Sequence, residues 1–163
     1  MKIFTTLAIS SLPILASAAA AGSAKNFYLV TCTDGTGRRN TFDAIAYYPK
    51  GASKSTTEWP HELGEVSRPK GTWEGVEREA EFEHDNWFIA RIDKNAASLK
   101  AGEIAGQGSF EGEPFVCFKR SGEILFTDRP TSCQQLYWCP SIDVSGGSGG
   151  YPTSRKMRRA IRQ

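Results

Sequence analysis

The chain is poor in the groups most enzymes depend on: 163 residues hold only two histidines, His61 and His84, and four cysteines. It has no G-x-S-x-G elbow, no H-E-x-x-H and no phosphate loop ending in Gly-Lys-Ser/Thr, so the common hydrolase, zinc-protease and nucleotide-binding chemistries lack their signatures. Only Cys133 and Cys139 are close in sequence, and neither histidine stands at ligand spacing from them, so no metal and no cofactor are expected. No apolar run reaches the roughly 18 residues that cross a bilayer, which argues against stable membrane insertion. There is no N-x-S/T sequon for N-glycosylation. The 16 glycines show no triplet period, so the chain is not collagen-like, and 11% aromatic residues is too much burial potential for a disordered chain.

What is present first describes an address. Residues 1–20 begin with Lys2, continue through a modest apolar stretch and reach Ala16-Ser17-Ala18, the pattern of a cleaved secretory signal. The expected domain then covers residues 25–144, and residues 145–163 form a Gly/Ser linker and basic tail. Cys32, Cys117, Cys133 and Cys139 read as two disulfides, the usual fate of an even cysteine count in an exported chain. Three pairings are open. Cys32–Cys117 with a local Cys133–Cys139 loop is preferred, and the long loop contributes roughly 3–5 kcal/mol. Removing Lys2 and the five tail cations from the net charge of +2 leaves the body at −4. The tail cations Arg155, Lys156, Arg158, Arg159 and Arg162 suit an acidic surface, an anionic membrane or a nucleic-acid backbone, with a solvated tail as the alternative.

Residues 27–32 are rich in β-branched and aromatic types and predict a strand. Residues 41–48 follow an Asn40 or Thr41 cap and space Phe42, Ile45 and Ala46 at helical intervals, so they predict a short helix. A strand is the alternative there. Residues 50–72 read as a long loop, and a stretch of that length without structure is often functional. Residues 78–83 and 87–93 alternate as a hairpin about residues 84–86, and further strands are expected over 103–108, 114–119 and 123–127. Together these give an α+β class: an antiparallel sheet with one short helix near the amino terminus and two disulfides, with a mostly-β barrel or sandwich as alternative.

The candidate chemistry is acid–base. Glu58-Trp59-Pro60-His61-Glu62 gathers two carboxylates and an imidazole in five residues. With Glu58 as base, His61 or His84 as acid and Arg91 as phosphate clamp, the set would suffice for RNA transphosphorylation. Trp59 in the long loop, and Tyr137 and Trp138 inside the preferred Cys133–Cys139 loop, are candidate binding aromatics, along with the cations of the tail.

Glu58-Trp59-Pro60 resembles the strand that bears the catalytic glutamate in the fungal guanyl-specific ribonucleases. Residues 99–108, followed by Pro114-Phe115-Val116-Cys117, are similar to that family's last strands, and Tyr28 and Cys32 to its amino-terminal disulfide region. The resemblance implies a short helix on an antiparallel sheet and a histidine general acid. Gly106 stands where that acid would be, and losing it costs roughly two to four decades of rate. The pattern is therefore similar to the RNase-like effectors that plant-pathogenic fungi secrete. It implies an extracellular, non-catalytic virulence protein that binds a host protein or RNA, with passage into host cells as a further expectation. An extracellular endoribonuclease and an antimicrobial or toxin-like protein are the alternatives.

Overall fold

A computed structural model of the chain describes residues 23–35, 40–83 and 85–142. Nine strands account for most of them: β1 (Asn26–Asp34), β2 (Thr41–Tyr48), β3 (Glu62–Ser67), β4 (Glu77–Phe82), β5 (Asn86–Ile92), β6 (Ile104–Phe110), β7 (Glu113–Lys119), β8 (Ile124–Asp128) and β9 (Thr131–Pro140). All ladders between them are antiparallel, in the order β3-β2-β1-β9-β7-β6-β5-β4, with β8 paired to β9 beside this path. The sheet curls into a nearly closed barrel. Its seam lies between β3 and β4, where a side chain on Gly64 would sit 2.6 Å from the Ala80 Cβ. Glycine at this point is what lets the two edges come together.

The expected α+β class is thereby corrected. The described residues form no α-helix, and the one 3-10 turn that lies wholly among them is Ala96–Ser98. The segment expected to be a helix is β2, paired to β1 over its full length. The physical reason is burial on both sides. Asp43, Ile45 and Tyr47 point into the barrel, while Phe42, Ala44, Ala46 and Tyr48 face a second core outside it, so seven of eight positions are buried and no period-two alternation survives. Part of the expected 50–72 loop is β3, and the expected Cys133–Cys139 loop lies inside β9, the longest strand.

The barrel interior is filled by rings. Phe27 stacks on Phe88 at 3.9 Å and on Tyr47 at 4.6 Å, and meets Phe82, Phe110 and Phe115 at centroid distances of 5.1 to 5.5 Å. Each such pair adds about 0.5–1.5 kcal/mol beyond area burial. The second core lies on the outer face of β1, β2 and β9, where Tyr28, Val30, Phe42, Tyr48, Leu125 and Phe126 pack together under β8 and the 49–61 loop. That loop is pinned by the Tyr48 hydroxyl donating to the Glu58 carbonyl (3.0 Å) and by Thr127 N–H donating to the Thr56 carbonyl (2.9 Å).

Both disulfides run through β9. Cys32 of β1 pairs with Cys133, and Cys117 of β7 pairs with Cys139. This corrects the preferred connectivity for a simple reason: a cysteine on a central strand is nearest to its cross-strand neighbours, and Cys32 stands directly opposite Cys133 in the ladder.

Candidate functional site

Among the described residues, Arg91 does not meet Glu58 and His61. Glu58 spends its carboxylate on its own loop, accepting the Lys54 N–H at 2.7 Å. His61 is exposed where the chain enters β3, its N–H on the Tyr47 carbonyl (2.8 Å) and its ring edge-on to Tyr47 at 6.1 Å. This is the end of the barrel at which β5 begins, with Asn86. Arg91 is five residues further along β5, about 17 Å at strand rise. There its guanidinium is held by Glu77 across the β4–β5 ladder. A clamp at one end of a barrel cannot serve a base and an acid at the other. His84 and the tail cations Arg155, Lys156, Arg158 and Arg159 lie outside the described residues.

The expected binding aromatics separate as well. Tyr137 is fully buried in the barrel and therefore is not part of a presented knob. Trp138 is half-buried on the outside, packed near Tyr28 and Phe118, with its indole N–H on Asn26 Oδ1 at 2.8 Å. Trp59 alone of the three keeps an open face: it is 46% exposed and rests edge-on against Phe126 at 4.6 Å. Ile124, also 46% exposed, lies across a register shift from Phe126: it stands opposite Gln134 while Phe126 stands opposite Cys133, so it faces away from Trp59.

Two polar networks that the sequence did not suggest close the ends of the barrel. At the His61 end, Lys25 reaches Glu111 at 2.6 Å and Glu113 at 3.8 Å, and Ser141 donates to Glu113. Burial pulls the Glu113 carboxyl upward, but the hydrogen bonds from Ser141 and Ser23 and the Lys25 charge outweigh it, so it ionises more readily than usual. Burial, then the Glu83 carboxylate, pushes the Tyr47 phenol far above its ordinary value. At the other end, Tyr137 donates to Glu74, whose second oxygen accepts from Thr72 at 3.0 Å, and the Lys119 ammonium sits 4.6 Å over the Tyr137 ring. Asp43, 2% exposed, accepts the Thr31 hydroxyl and the Gly71 N–H, both at 2.7 Å, and ties the 68–72 segment to that mouth. The signal for these groups was alternation: Tyr137 and Tyr47 occupy inward positions of strands, which only a correct strand assignment reveals.

An open depression of about 430 Å³ lies at the Arg91 end, lined by Gly75, Val76, Glu77, Arg91, Ile92, Asp93 and Lys94. Of its two cations, Arg91 is neutralised by Glu77, and the stem of Lys94 lies over Gly75. The structure thus offers exposed aromatic surface at Trp59, and it places Glu58 and His61 at one end of the barrel and Arg91 at the other. No family model, no curated protein and no solved structure matches the chain.

Proposed function

We propose that the chain is a secreted, disulfide-stapled binding protein that performs no chemistry of its own and acts on host molecules as a fungal effector does. The observation that carries this reading is the separation of Glu58 and His61 from Arg91, which lies at the far end of the barrel locked to Glu77. Two further features support it. The barrel interior is occupied by its own rings, so recognition falls to the outside. And Trp59 presents an apolar face on a loop already pinned by Tyr48 and Thr127. Such an element orders few groups on binding, which keeps the entropic cost of association low. The partner is a host protein or RNA, met by the exposed face of Trp59, with the basic tail adding attraction for anionic targets.

An RNA cleavage assay on the oxidised protein tests the reading, with Glu58→Gln and His61→Ala beside the parent. The expected result is no cleavage at high protein concentration. Cleavage to 2′,3′-cyclic ends that both variants abolish would make the chain an endoribonuclease and overturn the proposal.

A further inference from the structure

Antiparallel strands with one face in water ordinarily carry polar side chains on that face. β4 follows the rule, with Glu77, Glu79 and Glu81 exposed on the outside of the barrel. β5 and β7 break it. Their outward positions include Trp87 and Ile89 on the first, and Pro114, Val116 and Phe118 on the second. Trp87 is 46% exposed and the other four are half-buried. An apolar sheet face of this kind, bordered by charge, marks a surface that meets a partner.

The border of acids says which partner. The β4–β5 ladder sets Glu77 opposite Arg91, Glu79 opposite Ile89 and Glu81 opposite Trp87. The first pair is satisfied from within, the Arg91 guanidinium donating to Glu77. The next two repeat the carboxylate but set an apolar side chain where the cation stood. Among the described residues, Glu79, Glu81 and Trp87 have no ion pair, side-chain hydrogen bond or ring contact. Each of these pairs suits one incoming arginine: the carboxylate takes the guanidinium and the apolar neighbour packs along the stem, with the Trp87 ring adding its own attraction for the cation. The two pairs stand about 7 Å apart along the strands, which is also the spacing of alternate side chains in an extended peptide. The phosphates of RNA carry the wrong sign for this row.

We propose that the outer face of β4 and β5 binds an extended segment of a partner protein with arginines at alternate positions, one on Glu79 and Ile89 and the next on Glu81 and Trp87. The inference rests on the reading of the chain as a binding protein, and it narrows the partner at this face to a basic protein segment. Trp59 lies on the other side of the barrel, so the two surfaces act independently.

Fluorescence anisotropy of a labelled peptide of alternating arginine and serine, titrated with the oxidised full-length chain, tests it. The peptide should bind at about 50 mM salt and lose affinity several-fold at about 0.5 M, since exposed charge pairs are screened. Glu79→Gln with Glu81→Gln should weaken binding about tenfold, each exposed pair supplying up to about fivefold. Trp87→Ser should weaken it several-fold by itself. All three positions are exposed, so the far-ultraviolet circular dichroism should match the parent. Glu123→Gln with Asp128→Asn removes the same charge at exposed positions beside and on β8 and should leave the affinity unchanged. No binding by the parent chain, equal weakening by the two double variants, indifference to Trp87→Ser, or single-stranded RNA binding that Trp87→Ser abolishes would each overturn the proposal. The two readings fail separately: RNA cleavage overturns the binding-protein reading, and these titrations overturn only the assignment of this face.

Discussion

Replacing Gly106 with alanine is the sharpest single test of how the barrel is built. Gly106 lies in β6, paired to Ile92 of β5 on one side and Cys117 of β7 on the other. A Cβ there would stand 2.1 Å from the Arg91 carbonyl oxygen and 2.9 Å from the Ile92 Cα. Both atoms are backbone of the neighbouring strand, so no rotamer change relieves the clash. β5 and β6 must part, and β6 cannot retreat without disturbing its ladder to β7. Overpacking costs about 1–3 kcal/mol, and each ladder hydrogen bond lost adds about 1 kcal/mol, so Gly106→Ala should destabilise by about 3–5 kcal/mol. In urea, with a slope of about 2 kcal/mol per molar, the midpoint should fall by roughly 2 M with the slope unchanged. Gly112→Ala is the comparison: its φ is +82° but nothing lies within 4 Å of the added carbon, so it should cost only about 1–2 kcal/mol. A Gly106→Ala variant no less stable than Gly112→Ala would refute the reasoning. The same clash bars histidine from this position, so the missing acid of the ribonuclease resemblance cannot be restored by substitution.

Three further outcomes are expected. The disulfides close 101 and 22 residues, and the chain-entropy relation assigns them about 4.7 and 3.4 kcal/mol, so converting Cys32 and Cys133 to alanine should cost about 1 kcal/mol more than converting Cys117 and Cys139, read by urea unfolding of each oxidised double variant. Of the five tyrosines, Tyr28, Tyr47, Tyr48 and Tyr137 are raised, chiefly by burial, with Tyr48 pushed up to about 12. A raised phenol stabilises the fold fully below pH 10 and loses that contribution as pH climbs toward the folded value, so an absorbance titration should show these four phenols ionising late, together with unfolding. The Glu74 carboxyl is lowered, its hydrogen bonds from Tyr137 and Thr72 and the Lys119 charge outweighing burial. Its contribution is present above pH 4.5 and lost as pH falls through the folded value, so the stability gap between the parent and Glu74→Gln should close on acidification below pH 4.5, measured by thermal unfolding.

The strands that face water on one side were legible in the sequence. Glu77, Glu79 and Glu81 alternate with Arg78, Ala80 and Phe82, and the hairpin they make with β5 follows directly. β1, β6, β7 and β8 were visible through β-branched and aromatic content with glycine turns between them. β2 was misread because two cores bury it from both sides. β3 was hidden because Gly64 and Ser67 lie between Pro60 and Pro69 and resemble loop chemistry, although Gly64 is there to let β4 approach. β9 alternates cleanly in burial from Cys133 to Cys139, but treating its two cysteines as partners of each other turned it into a loop. The placement of Arg91 was hidden for a different reason. Glu58, His61 and Arg91 are plausible by type, yet only the barrel topology reveals that Arg91 belongs to the opposite end.

Cysteine connectivity tests the central claim, that β9 is the stapled spine of an all-β barrel, most directly. Proteolysis of the unreduced protein followed by mass spectrometry should yield peptides joining Cys32 to Cys133 and Cys117 to Cys139. Peptides joining Cys32 to Cys117 and Cys133 to Cys139 would contradict it, because the first ladder places Cys32 directly against Cys133 and a local loop cannot be a ten-residue strand.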